Sequence, residues 1–424
     1  MSLCLRSHLK GLGLCLVIAG LQAVPAGAAT YYVSATGLDT NNGSQSHPFR
    51  QIRKALPLLR PGDTVLIENG RYLGFTVYGL RGTAAAPITF KATGANARVI
   101  PTTDRRDNRD TMFLSGGAYV ILDGLQSYYA HRAAIRIDGG TNITIRNGVY
   151  GENTKWGIFT DFSNNLLIEN NECFKSHQQH GIYVSNSCTG PVVQGNLVHD
   201  NYECGIQLNG DLSEGPPGLI TGALIQDNVV YNNGAGGGAA INLDGVQDST
   251  VVNNLLYNNH ASGIMNYHGD GAAGPAGMQI LNNTVDMPVG SRWALTLWGS
   301  AGANLVRDNI LLHRDPTRGG LAYGSAADIA NTDSDYNILQ RITPDNWLTL
   351  LTLAQWQARG YEPHSLSASL ARLFADPTDG NYALLPTAPA IDTGQTLANV
   401  TVDITGFPRP YGAASDIGCY EWHP

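Results

Sequence analysis

An all-β solenoid, a single-stranded right-handed parallel β-helix with an N-terminal capping helix and an irregular C-terminal tail, is the fold class that three features of this 424-residue sequence predict. The first is a repeat. An asparagine followed by two mostly apolar residues and then usually an aromatic recurs at Asn147, Asn171, Asn196, Asn228, Asn254, Asn283 and Asn309, at intervals of 24, 25, 32, 26, 29 and 26 residues. Such a period, with insertions absorbed between copies, suits a stacked architecture in which each unit buries its apolar face only against its neighbours. The second is a small residue followed by an aliphatic in each copy: Ala134-Ile135, Gly157-Ile158, Gly181-Ile182, Gly205-Ile206, Ala240-Ile241, Gly263-Ile264 and Ala294-Leu295. The third is alternation, because the residues two further on (Ile137, Thr160, Val184, Leu208, Leu243, Asn266, Leu297) are mostly apolar as well. Period two means strands.

Read from the start, residues 1–29 form a secretory signal peptide. Arg6 and Lys10 precede an apolar run from Leu12 to Val24, and Ala26-Gly27-Ala28 offers a small-residue cleavage site. The mature chain is expected to begin near Ala29 or Thr30 and to be secreted, extracellular or periplasmic. Phe49 to Leu59 is the one early stretch with helical spacing, shortened by Pro57. A helix there would cap the open end of the stack. Strand-like Thr64 to Glu68, Ile88 to Lys91 and Tyr119 to Leu122 start the coils. Each later copy supplies two short strands separated by Gly, Asn and Asp turns. The asparagines are expected to stack at one turn and bond along the axis, with coils roughly 4.8 Å apart. These elements make residues 30–313 a β-helix with its cap and 314–424 a region of C-terminal coils and a closing tail.

Charge and cysteines narrow the partners. The sequence has 26 basic and 34 acidic side chains, and removing the signal peptide leaves 24 against 34, a net charge near −10. Nucleic acid is a poor partner for such a surface. An anionic sugar polymer remains compatible with a local cationic site. No later apolar stretch is long enough to span a bilayer, and a monomer is expected. Four cysteines remain after processing. Cys173 is expected to be a core thiol on the inward position of Val149, Val198, Val230 and Leu256, and Cys188 and Cys204 are left as a pair that an oxidising compartment would allow.

The opening residues carry a resemblance. Tyr31-Tyr32-Val33-Ser34, Gly37, Asp39, Asn42-Gly43, Pro48-Phe49-Arg50, Ile52, Ala55-Leu56, Pro61-Gly62-Asp63-Thr64-Val65, Gly70 and Tyr72 resemble the N-terminal cap of secreted β-helix polysaccharide enzymes. Pectate lyases of family nine and chondroitinase-B-like alginate lyases share that cap. The tail, with Ala388-Pro389-Ala390-Ile391-Asp392 and Asp416-Ile417-Gly418-Cys419-Tyr420-Glu421, is similar to the endings of such proteins. The resemblance implies a polysaccharide lyase acting on an anionic, uronate-containing polymer such as alginate or pectate. It specifies architecture more than chemistry.

Chemistry belongs on the outward positions of the repeated strands. One outward row is Arg136, Phe159, Tyr183, Gln207, Asn242, Met265 and Thr296, and the next is Asp138, Asp161, Ser185, Asn209, Asp244, Tyr267 and Trp298. Any single member is ordinary surface polarity. Together they put hydrogen-bonding groups and aromatics on one face, as a cleft for an extended sugar chain requires. The segment Phe174 to Tyr183 (FKSHQQHGIY) stands out, because the mature chain has only four lysines and Lys175 sits here with His177, His180 and Tyr183.

On a uronate polymer, these groups suit β-elimination: the carboxylate is neutralised, a base takes the C5 proton and an acid protonates the departing O4. Lys175, His180 and Tyr183 are the catalytic candidates, with Lys175 or His180 as base if desolvation lowers a pKa and Tyr183 as base or acid. Arg136, His177, Gln207, Asn209, Asn242, Asp244, Tyr267 and Trp298 are the substrate-binding candidates. The family-nine likeness implies a lysine base with calcium held by clustered aspartates. Asp161, Asp211, Asp244 and Asp248 are dispersed instead, so no metal and no cofactor is expected, closer to alginate lyases that use lysine, tyrosine and histidine. Three rivals stay open: a glycoside hydrolase using Asp138 and Asp161, a uronan C5-epimerase, and a non-catalytic carbohydrate-binding β-helix.

Overall fold

The computed structural model describes residues 27–102 and 109–424. The signal-peptide reading of residues 1–29 therefore lies outside the described residues apart from its last three. Each coil contributes one strand to each of three parallel sheets, where the repeat had suggested two strands per copy. The first sheet has twelve strands from Thr30–Val33 to Thr332–Asp335, the second has eleven from Gly70–Leu73 to Ile338–Leu339, and the third has twelve from Phe75–Tyr78 to Leu351–Thr352. One coil runs Thr141–Arg146, Val149–Gly151, Trp156–Asp161. First-sheet strands such as Leu167–Glu169 bury a single side chain, Ile168. Alternation is not legible in so short a run.

The third sheet forms as the sequence predicts. Ile135, Ile158, Ile182, Ile206, Ile241, Ile264 and Leu295 are fully buried and paired in register from coil to coil. The second inward row pairs the same way, from Ile137 through Asn266 to Leu297. Each such aliphatic contributes roughly 1.5–3 kcal/mol by leaving water. Because the period is two, the residues between them face outward as two continuous rows.

The asparagine ladder runs through Asn171, Asn196, Asn228, Asn254, Asn283, Asn309 and Asn337. In the middle of it, the Asn228 Oδ1 accepts from both the backbone N–H and the Nδ2 of Asn196, each at 3.0 Å, and its own Nδ2 donates to Val193 O at 2.9 Å. Asn147 is not a member. Gly148 holds the ladder position, donating its N–H to Asn171 Oδ1 at 3.0 Å, while Asn147 adopts φ +55° and donates to Asp123 at 2.8 Å. In that coil the reading is one residue out, so Tyr150 and not Val149 pairs with Cys173 inside the core. A one-residue slip exchanges the two faces of a strand. Asn201, Asn233 and Asn259, each five residues after a member of the first ladder, build a second amide ladder at the next corner.

Two other expectations change. The N-terminal cap is not an α-helix but two 3₁₀ turns, Ile52–Lys54 and Leu56–Leu58, burying Ile52 and Ala55 under the first coil. Pro57 has no N–H for an i→i−4 bond. Cys173, Cys188, Cys204 and Cys419 are all free and buried, so Cys188 and Cys204 do not pair.

The coils continue to Arg341–Thr343, against which Leu351–Thr352 pairs antiparallel. A helix Leu353–Gln357 with a Thr352–Gln355 capping box follows. The tail then folds back over the second sheet. Tyr382, Ile417 and Cys419 bury Leu255, Ile310 and Ile338, and Arg409 pairs with Glu421 at 3.1 Å with both side chains buried. Among the described residues no helix is long and apolar enough to cross a membrane.

Candidate active-site groove

The two outward rows of the third sheet form the floor of a groove, since every member pairs in register with its counterpart in the next coil. The row that begins at Arg136 is extended backward by Phe113 and Thr76. Loops 211–218 and 268–272 wall one side, joined by Leu212 N–H to Asp270 O at 3.1 Å and Ala272 N–H to Gly218 O at 2.9 Å. They occupy the 32- and 29-residue intervals of the repeat. The turns between the second and third sheets make the other wall, and each ends in the residue just before the small-aliphatic pair: Trp156, His180, Cys204, Trp293.

Aromatics dominate the floor at one end. Trp156 stacks on Phe159 with ring centroids 4.4 Å apart, and Tyr183 meets Phe159 edge-on at 5.3 Å. Lys155 Nζ lies over the Trp156 ring at 5.2 Å. Arg136 sits between Phe113 and Phe159, 5.6 and 5.0 Å from their centroids, and bridges Asp138 at 2.6 Å and Asp161 at 3.5 Å. Its charge is shared between those carboxylates. Burial raises the pKa of Asp161, although a hydrogen bond from Asn186 opposes the shift.

His180 and Tyr183 come together, their rings edge-to-face at 5.0 Å. Burial pushes the His180 imidazole down to about 3, so it is neutral at ordinary pH. Its Nδ1 accepts from Cys204 N–H at 3.1 Å, which assigns the ring proton to Nε2, facing Glu203 at 3.6 Å. A nitrogen already occupied as an acceptor, on a ring that resists protonation, positions its neighbours better than it removes a proton. Burial raises the Tyr183 hydroxyl well above the ordinary phenol range, with Asp211 adding to the effect and a hydrogen bond with Asn209 opposing it. That phenol holds its proton. Burial also raises the Glu203 carboxyl, against the pull of Lys155.

Lys175 and His177 are elsewhere on the same turn. Their side chains are exposed, and Glu152 takes both, Lys175 Nζ at 3.1 Å and His177 Nε2 at 3.1 Å. The bond to Glu152 raises the Lys175 pKa, whereas the desolvated-base reading requires a lowered one. No hydrogen bond or ion pair joins Lys175 to His180 or Tyr183 among the described residues. Further along the groove, Gln207 accepts from the Cys204 thiol at 3.0 Å, and Asn242 Nδ2 donates to the Tyr267 hydroxyl at 3.3 Å. Burial pushes that hydroxyl up to about 12. Asn209 is buried beside Tyr183. Asp244 is 1% exposed and its carboxylate is filled by the N–H groups of Gly269, Asp270 and Gly271, so it anchors the wall loop. Trp298 is exposed at the far end, edge-on to Trp347 at 5.7 Å.

The aspartates do not fit a calcium ion, which needs several unoccupied oxygens at one point. Asp244 is saturated, Asp161 is shared between Arg136 and Asn186, and Asp211 caps Ser213. Among the described residues no group of three or more His, Cys, Asp or Glu is arranged to hold a metal. Lys155, Trp156, Glu203 and Cys204 are the groove residues that sequence reasoning missed. Their positions one or two before the small-aliphatic landmark were a readable signal.

A family model described as a right handed beta helix region matches residues 92–213 and 190–285, spanning the coils that carry the groove. The chain is a right-handed parallel β-helix. A second model, for a protein of unknown function, matches residues 35–76 of the cap. The β-helix superposes on pectate lyase Pel9A with a TM-score of 0.65 over 93% of this chain and 96% of that one, at 16% identity. Against XylC in complex with xylose the values are 0.56, 93%, 98% and 12%. Against an alginate lyase from Paenibacillus sp. str. FPU-7 they are 0.52, 70%, 97% and 16%. At these identities the likeness is one of fold. No curated protein sequence matches the β-helix.

Proposed function

We propose that this β-helix is an exported carbohydrate-active enzyme that cleaves an anionic, uronate-containing polymer by β-elimination in the third-sheet groove. The observation that carries the reading is the meeting of Tyr183, His180, Glu203 and Lys155 beside the Trp156–Phe159 stack. The indole and phenyl faces suit the apolar side of a pyranose. Lys155, whose partners are a ring face and the field at Glu203, is the cation available to neutralise a substrate carboxylate. Glu203, its carboxyl raised toward the working range of a base, takes the C5 proton. The C4–O4 bond breaks, C4 and C5 become doubly bonded, and Tyr183 delivers its proton to O4. Glu203 ends protonated and Tyr183 ionised, and exchange with solvent restores both. His180 holds Glu203 and Tyr183 in place. Lys175, held as an ammonium by Glu152, is assigned a cationic role at the rim and not that of the base. Gln207, Asn209, Tyr267 and Trp298 are assigned to sugar binding along the floor.

The lyase-like fold neighbours support this reading through architecture alone. The test is incubation of the purified mature protein with pectate, alginate, hyaluronan, chondroitin sulfate and neutral glycans, with and without a chelator. A rise in ultraviolet absorbance from an unsaturated uronyl end is expected, unaffected by the chelator. One observation favours a second reading: Arg136 binds Asp138 and Asp161 on adjacent coils, two carboxylates in unlike environments about one strand spacing apart, as a glycoside hydrolase pair would be. New reducing ends without the absorbance would select it.

A further inference from the structure

The outer face of the second sheet, on a different side of the coil from the groove, carries a separate cluster. Arg71 and Arg98 occupy the same outward position on adjacent coils. They line a hollow with Ile100, Pro101, Tyr128 and Tyr129. Like charges directly paired across strands repel. Neither arginine has an ion pair with a carboxylate among the described residues, although the chain is acidic overall. Arg98 lies 5.4 Å from the Tyr128 ring centroid. Tyr129 is 69% exposed, yet its backbone is held at φ +61°. The same corner carries Glu152, Lys175, Asp200, Asn232 and Asn258 in the later coils, at φ +55°, +50°, +57°, +55° and +53°, so the turn of the coil imposes this conformation on whichever residue stands there. Asp and Asn occupy the left-handed region cheaply, whereas a bulky aromatic there costs about 1–2 kcal/mol. The exposed Tyr129 ring lies beside Tyr128, with centroids 6.5 Å apart, so the two present adjoining aromatic faces at the hollow.

From these features we infer that Arg71, Arg98, Tyr128 and Tyr129 form a second glycan site, outside the groove, for the carboxylate-bearing sugar of an anionic polysaccharide. The guanidinium forks match a carboxylate bidentately. The tyrosine faces take the pyranose ring. Such a site tethers a long chain while the groove works on another stretch of it, raising the effective substrate concentration without a new catalytic group. The inference rests on the proposed anionic substrate and is separable from the proposed chemistry.

The experiment is affinity electrophoresis through gels containing polygalacturonate, alginate or neutral dextran, run in parallel with turnover of soluble uronate hexamers. The parent should be retarded by one of the anionic polymers and not by dextran. R71A/R98A should lose at least tenfold in polymer affinity while turning hexamers over at the parent rate. Tyr129→Gly removes the ring and relieves the backbone, so it should melt at the same or a higher temperature and still bind less. Parent-like retardation of R71A/R98A and Tyr129→Gly, or no retardation of the parent by any anionic polymer, would overturn the second site. Arginine-dependent retardation without any hydrolysis or elimination would leave the site standing and sink the catalytic reading.

Discussion

Asn266 is buried in the inward row of the third sheet between Leu243 and Leu297, and among the described residues neither its amide nitrogen nor its oxygen has a hydrogen-bond partner. An unsatisfied buried amide costs about 1–3 kcal/mol. Asn266→Leu continues the leucine row on both sides, so thermal unfolding should show a gain in stability of that order. An unchanged or lower melting temperature would mean the amide has a partner. Sequence placed Asn266 on an inward position correctly, yet nothing in the sequence told it apart from the bonded asparagines at the corners. At the proposed centre, Tyr183→Phe removes the proton that burial holds on the phenol and leaves the ring against Phe159 and His180. Turnover of whichever uronate polymer is cleaved should fall roughly 10² to 10⁴-fold with the fold intact. Lys175→Ala should affect turnover far less, because its partner is Glu152 at the rim. The scarcity of lysine drew attention to Lys175. Scarcity carries no information about which way a turn residue points, and Lys155, one coil earlier, is the lysine whose ammonium lies over the Trp156 ring.

At the scale of elements, sheet register was legible because each strand keeps one small residue and one aliphatic at fixed places, and a single slip would exchange core and surface. Two elements were less legible. The first sheet's three-residue strands present one buried side chain each, and the coil at Asn147 shows the same letters displaced by one position. The amide ladders are the elements most open to test. Asn228 binds Asn196, Asn254 and Val193 O at once, so Asn228→Ala removes the partner of Asn196 N–H and of Val193 O on the coil before it and one of the donors to Asn254 Oδ1 on the coil after it. A loss of about 2–4 kcal/mol is expected by denaturant titration, more than one exposed hydrogen bond is worth. Ile206→Asp places an unpaired charge between Ile182 and Ile241 and should yield no folded protein, as read by circular dichroism. A cooperative melt at the parent temperature in either variant would count against the ladder that contains it.

Across the whole molecule, the tail's hold on the second sheet is tied to pH. Asp227, Asp308 and Asp416 lie where the tail meets the coils, and burial pushes their carboxyls up to about 6, 7 and 6. Arg409 lowers and neighbouring Asp403, Asp335 and Glu421 raise these values. Carboxyls that bind protons more tightly when folded stabilise fully below their unfolded pKa of about 4, and that contribution is lost as pH climbs toward 7. Asp308→Asn keeps an acceptor for Gln395 N–H without the titration. Its melting temperature should exceed the parent's at pH 8 and converge with it near pH 4, and a constant offset would show that Asp308 does not titrate in that window. The groove's loop wall was foreshadowed by the 32- and 29-residue intervals, whereas the tail's docking depends on contacts more than a hundred residues apart that no local pattern encodes. Finally, the short strand Leu351–Thr352 reverses direction against Arg341–Thr343. A stack of parallel coils has no inherent last member, since every terminal coil offers a second molecule the same backbone template that it offers its own next turn. By ending the third sheet with a strand of opposite polarity, the chain withholds from any further parallel coil the template that each earlier coil gave its successor.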